Sequence, residues 1–245
     1  MQVMRRVFTA VGLLVVAVVA VPSAARAAVG VQVTPGWAGY LVRAGADTFT
    51  EVRGRWVQPR VVCNRPGSAA AFWIGLGGAT RRSRALEQVG TSADCSSRAE
   101  LSHSAWYQLW PGPAIELPIA VSGGDVIESA LAVSGQIVSI SLRDVSTGAA
   151  VLQNVRMRDP ETDSAEWIVE APAMCFVTCT LLPLATFDRI RFTETSATAA
   201  GHYGTISDAR WASSRLKMGT ARRPTLATPS PLTDGGSSFA VTRNR

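Results

Sequence analysis

From Val121 to Met157 the chain alternates apolar and polar residues in short runs, each closed by a turn-forming cluster. Val126 to Val133 leads into Ser134-Gly135, and in the run that follows Val138, Ile140 and Leu142 are set against Ser139, Ser141 and Arg143. Asp144 to Gly148 turns again before Val151 to Met157. A period of two puts alternate side chains on opposite faces of a strand, and no stretch of about ten residues here keeps the 3.6 period of an apolar helix face. Strands recurring about every eight to twelve residues, with Gly, Pro and Ser between them, predict an all-β chain folded as an antiparallel β-sandwich.

The flanking sequence fits this reading. Gly36-Trp37-Ala38-Gly39-Tyr40 opens the domain, and Phe49 to Pro59 mixes Phe49, Val52 and Trp56 with polar residues around Gly54. Ala69 to Leu76 is a buried-type run that ends in Gly77-Gly78, and Leu101 to Trp110 is an aromatic strand stopped by Pro111-Gly112-Pro113. Phe187 to Thr193 reads as a strand and residues 194 to 204 as a polar loop, while Ala209 to Met218 matches no single pattern. Thr233 to Gly236 forms a turn before a closing strand through Phe239 and Val241.

Residues 1 to 27 stand apart. Arg5 and Arg6 precede the apolar run Val7 to Val21, and Ala25-Arg26-Ala27 supplies small residues for cleavage, the pattern of a signal peptide. The run is shorter than a bilayer needs, so export is expected, with residues 28 to 245 as one domain and no membrane contact after cleavage. Without Arg5, Arg6 and Arg26 the formal charge of +6 falls to +3, and there is a single lysine, Lys217. The clusters Arg81-Arg82-Ser83-Arg84 and Arg222-Arg223 read as solvated loops, so no nucleic-acid partner is expected. Four cysteines in an exported chain predict disulfides, paired as Cys63 with Cys95 and Cys175 with Cys179.

The chemistry-bearing stretch is Ala165-Glu166-Trp167-Ile168-Val169-Glu170-Ala171-Pro172. Trp167, Ile168 and Val169 favour an extended chain and Pro172 ends it. Alternation places Glu166, Ile168 and Glu170 on one face and Trp167 and Val169 on the other, where a core can hold them. Four residues separate the two carboxylates by roughly 13 Å at about 3.3 Å per residue, so at most one is the working group. In Leu86-Glu87-Gln88-Val89-Gly90 the same rule puts Gln88 and Glu87 on opposite faces. His103 and His202 are the only histidines, neither beside a Gly-x-Ser-x-Gly elbow, and no metal-ligand spacing or phosphate-cradling glycine loop occurs. No metal and no cofactor is expected.

The Ala165–Pro172 segment, with Leu182-Pro183-Leu184-Ala185-Thr186-Phe187 after it, resembles the signature of the glutamic peptidases, or eqolisins. So do the Trp-Ala-Gly-Tyr start, Trp56-Val57-Gln58-Pro59, Trp73-Ile74-Gly75-Leu76-Gly77-Gly78 and Ala105 to Pro111, which span almost the whole mature chain. The resemblance implies a lectin-like (concanavalin A-like) sandwich of two curved sheets with a catalytic pair on a concave face. Matched residue by residue, the catalytic glutamate falls on Glu170 and its glutamine partner on Gln88. Trp73, Gly77, Trp106, Gln108 and Glu166 fall in the substrate-binding cleft.

The implied activity is that of a secreted, monomeric endopeptidase that cleaves polypeptides at acidic pH. An ionised Glu170 would take a proton from a water, which Gln88 would orient while donating to the oxyanion. An amide beside the carboxylate adds no like charge, so the base is expected to stay ionised to low pH. Two departures bear on this. Only nine residues lie between the expected cleavage and Trp37, where acid-secreted members carry a prosegment. Where those members carry acidic groups in the cleft, this chain has Gly77, Thr91 or Ser92, and Gln108. The alternative is a non-catalytic secreted sandwich that binds a polysaccharide or extended peptide on the same concave face.

Overall fold

The computed structural model describes residues 29–45, 48–80, 82–175, 178–220 and 223–244. The leader at 1–27 lies outside them. Among the described residues there is no α-helix, and one 3-10 turn at Asp234–Gly236. The strands in chain order are β1 (Gly30–Thr34), β2 (Trp37–Arg43), β3 (Phe49–Val57), β4 (Ala69–Gly77), β5 (Leu86–Cys95) and β6 (Leu101–Trp110). Then come β7 (Ala114–Leu117), β8 (Val126–Ser134), β9 (Ile137–Asp144), β10 (Ala150–Arg156), β11 (Ala165–Glu170), β12 (Ala173–Cys175) and β13 (Cys179–Leu181). β14 (Arg189–Ala199), β15 (His202–Gly204), β16 (Ala212–Thr220), β17 (Arg223–Pro229) and β18 (Phe239–Arg243) complete the chain.

The all-β expectation holds, with a difference in how the layers join. One ladder runs β10-β9-β8-β3-β14-β18-β17-β16-β2-β11-β4-β5-β6-β7, with β1 and β15 paired at its side. The two layers of the sandwich are therefore continuous through β17 and β18, and the sheet curves nearly into a barrel. Every pairing on the path is antiparallel; the parallel exception is β1 on β16, from Gly30 opposite Ser214 to Thr34 opposite Met218. The closing strand expected near Phe239 is β18, and the unassigned 209–218 region is largely β16.

The expected loop at 194–204 is instead mostly strand. β14 continues to Ala199 because a bulge between Thr193 and Ser196 absorbs residues that break the alternation, after which it re-pairs with β3. Glu194 takes a left-handed φ of 53° there. Polar sequence hid this strand, since Thr195 and Ser196 are buried.

Between the layers lies one large core, in which Trp56, Phe72, Ile74, Trp167, Val169 and Phe192 are fully buried. Trp167 anchors it by donating from Nε1 to the Arg53 carbonyl at 2.6 Å. Strand β4 is buried on both faces. Its second face carries a smaller apolar cluster of Leu41, Ala71, Trp73, Leu86, Ile168 and Leu216, which floors the cleft described below. The Cys63–Cys95 disulfide forms as expected and ties the segment after β3 to the end of β5. Cys175 and Cys179 are paired in register in the β12–β13 hairpin, and the side chain of Cys175 lies outside the described residues.

Candidate active site

Strands β2, β11, β4, β5 and β6 lie side by side, so the register fixes which residues share a cross-strand row. Ile168, Trp73, Gly90 and Trp106 form one row. On one side of it lie Glu170, Ala71, Ser92 and Ser104; on the other lie Glu166, Gly75, Gln88 and Gln108. All point to the face away from the main core. Glu170 and Gln88 thus stand two strands apart and four residues out of register, with β4 and the tryptophan row between them. They line the same cleft, of about 1100 Å3, with Trp37, Ser92, Trp106, Gln108 and Pro172 among its other walls.

Trp73 sets this geometry. It is fully buried, and its Nε1 donates to Glu170 Oε2 at 2.8 Å. The far edge of its ring lies over Gly75, where an added Cβ would meet the ring at 3.0 Å and the Gln88 Cβ at 3.3 Å. On the next strand, a Cβ at Gly90 would strike the Phe72 carbonyl at 2.2 Å and the Trp73 Cβ at 2.5 Å. Gly75 makes room for the indole edge and Gly90 for the β4 backbone at its root, so the ring reaches from the Glu170 carboxylate to the glycine beside Gln88. Trp37 packs edge-on against it, with centroids 5.1 Å apart.

Each polar group has a distinct environment. Burial pushes the Glu170 carboxyl up to about 7, against the lowering effect of hydrogen bonds from Trp73 and Trp37. Desolvation thus works against the expectation that this carboxyl stays ionised to low pH. Gln88 Nε2 donates to Gln108 Oε1 at 2.7 Å, and Gln108 Nε2 donates to the Gly112 carbonyl at 2.8 Å. That amide chain fixes which way Gln88 faces and leaves its Oε1 buried without a protein partner.

Three expectations for the cleft change. Glu166 lies on the predicted face but is fully buried, so it cannot contact a substrate. Neither of its carboxylate oxygens meets a donor with good hydrogen-bond geometry, and burial raises its pKa well above the ordinary carboxylate value. Gly77 does not wall the cleft: with φ of 77° it turns the chain, and a Cβ there would collide with the Glu161 carbonyl at 2.2 Å. No acidic side chain fits at that position. Trp73 is floor beneath the cleft rather than its surface, whereas Trp106 and Gln108 line it as expected.

Of the pair Thr91 and Ser92, it is Ser92 that faces the cleft. Its Oγ donates to Asp94 Oδ2 at 2.6 Å and lies 2.8 Å from Ser104 Oγ. Thr91 points into the core, where it accepts from Trp56 Nε1 at 3.1 Å and donates to Gln58 Oε1 at 2.6 Å. Sequence reasoning missed Asp94, Glu116 and Trp37 as lining residues. Asp94 was findable, since alternation carries Gln88, Gly90 and Ser92 on to it; Glu116 sits on β7, a strand with no clear signal after the proline-rich turn.

Residues 35–236 match the model of the peptidase A4 family. The chain belongs to that family. Its members are the glutamic peptidases, or eqolisins, and this peptidase A4 chain is accordingly a hydrolase. No curated protein matches it in sequence. Among solved structures it is similar to scytalido-glutamic peptidase in complex with a transition state analog inhibitor, at 20% identity and a TM-score of 0.73, covering 86% of this chain and 98% of that one. It is similar to SCP-B, an eqolisin in complex with the tripeptide Ala-Ile-His, at 20% identity and 0.69 over the same shares. Aspergilloglutamic peptidase from Aspergillus niger matches at 28% identity and 0.59, over 72% of this chain and 99% of that one.

Glu87, Glu166 and Glu170 all have carboxyls raised by burial, Glu87 to about 8. A carboxyl raised on folding binds its proton more tightly in the native state, so its stabilising effect is complete below the unfolded value of 4.5 and is lost as pH climbs toward the folded one. Wild-type protein should lose more stability than Glu166→Gln as pH rises from 4.5 toward the raised value of the buried carboxyl. Urea unfolding of both proteins across that range measures the difference, and parallel curves would mean that Glu166 ionises freely in the fold.

Proposed function

We propose that this peptidase A4 chain is a secreted, monomeric glutamic endopeptidase that uses Glu170 and Gln88 as its catalytic pair. The observation that carries this reading is that both side chains line one cleft, with Gln88 Oε1 unpartnered and Glu170 fixed by Trp73. The leader at 1–27 and the Cys63–Cys95 disulfide support export. The inhibitor in scytalido-glutamic peptidase and the tripeptide in SCP-B support a polypeptide substrate.

In this mechanism a water held by Gln88 Oε1 gives a proton to the Glu170 carboxylate as its oxygen attacks the peptide carbonyl. Gln88 Nε2 keeps one hydrogen on Gln108 and offers the second to the oxyanion. Protonated Glu170 then delivers its proton to the leaving nitrogen as the carbon–nitrogen bond breaks. The chain's own residues complete the cycle without a cofactor.

The base must be ionised to accept the proton, so a carboxyl near 7 favours turnover closer to neutrality than the family resemblance implies. Gly77, Ser92 and Gln108 stand where acid-active members place acidic groups, which points the same way. With casein or a quenched peptide, kcat/KM should rise with pH through about 7. Gln88→Ala and Glu170→Gln should each lower kcat by roughly a hundredfold or more while leaving circular dichroism unchanged. Retained turnover in either variant would reject the pair. A rate that instead climbs as pH drops from 7 to 4 would reject ionised Glu170 as the base.

A further inference from the structure

A second recess, of about 580 Å3, opens on the layer that does not carry the cleft, on the outer face of β9, β8, β3 and β14. Its size falls within the roughly 300–1,000 Å3 typical of small-ligand sites. Alternation along β3 sends Val52 and Trp56 into the core and Arg53 and Arg55 outward into this recess, so the peptidase site and the recess lie on opposite sides of the main core. Nothing in the peptidase reading uses it.

We infer that this recess is a binding site for a neutral polysaccharide chain. Two of its three arginines are already matched; Arg143, on β9, has no ion pair among the described residues. Arg55 lies between Glu128, at 3.0 Å, and Glu194, at 3.2 Å, and Arg53 pairs with Glu51. Around Arg55 an anion would therefore meet two carboxylates and a cation a bound guanidinium, while Arg143 keeps its N–H groups for a neutral acceptor such as a sugar hydroxyl. What the recess offers instead is a closely spaced set of donors and acceptors, to which the hydroxyls of Ser141, Ser196 and Ser237 add. Hydroxyl groups, each donor and acceptor at once, are the chemistry that matches such a lining.

Two further features support a sugar. Tyr203 stands at the recess, 64% exposed, and supplies an aromatic face there, a platform for the apolar side of a pyranose ring. Thr195 is fully buried in the recess floor and its hydroxyl has no protein partner. It sits in the β14 bulge beside Glu194, whose left-handed backbone brings its carboxylate to Arg55. Bulges recur beside functional sites because they re-aim a side chain.

The test is binding of the full mature chain to an array of neutral, sulfated and uronic-acid oligosaccharides, followed by affinity electrophoresis in gels that contain the neutral polymer retained. Wild type should be retained by at least one neutral glycan. Tyr203→Ala and Arg53→Ala should each weaken retention at least tenfold and keep full casein hydrolysis. Absence of any neutral ligand, binding confined to sulfated or uronic glycans, or retention that survives both substitutions would overturn the assignment. Loss of retention in Trp106→Ala with Tyr203→Ala unaffected would place the glycan in the cleft and overturn it as well.

Discussion

The hydrogen bond from Trp73 Nε1 to Glu170 Oε2 is the contact around which the cleft is built. A carboxylate two strands away from its amide partner, and offset along the strand, has no direct means of being aimed at it. The indole supplies that means: its N–H holds the acid, and its opposite edge rests on a glycine beside the amide. Gly75 leaves space for the edge of the ring, and Gly90 for the β4 backbone that carries it, since a methyl group at either would meet those atoms. The packing of the cleft floor and the hydrogen bond that holds the Glu170 carboxyl both follow from one tryptophan on β4, flanked by Gly75 on its own strand and Gly90 on the next.

Burial has a second consequence. The face that holds Glu166 and Glu170 carries apolar residues between them, so the environment that positions the base also desolvates it. Glu166 lies buried in the row of Gln88, which leaves Glu170 as the only carboxylate of the strand open to the cleft. Acid-active relatives are expected to carry further acidic groups in this region. Here the turn at Gly77 closes against Glu161, Ser92 binds Asp94, and Gln108 serves the amide chain.

Period-two patterning carried most of the fold and the facing of the cleft side chains, while the choice of Glu170 and Gln88 rested on the family resemblance. It assigned Trp167 and Val169 to the core, Glu166 and Glu170 to the other face, and Gln88 and Glu87 to opposite sides of β5, all as found. It could not show that the face with the two glutamates is covered, because burial of Glu166 depends on what packs over it from elsewhere in the chain. It also failed at β14, where a bulge resets the alternation and polar residues are buried. The positive φ at Gly77 was hidden for a similar reason: a glycine at a strand end looks the same whether it walls a cleft or turns the chain away from it.

The dependence on Trp73 is open to direct measurement through the pH profile of kcat/KM in Trp73→Phe. Phenylalanine keeps an aromatic ring in the glycine-lined slot but removes the N–H that lowers the Glu170 pKa. The rising limb should move to higher pH than in wild type and kcat should fall, with KM little changed. An unshifted limb at full kcat would contradict the account, since Glu170 would then be positioned and poised by something other than the indole.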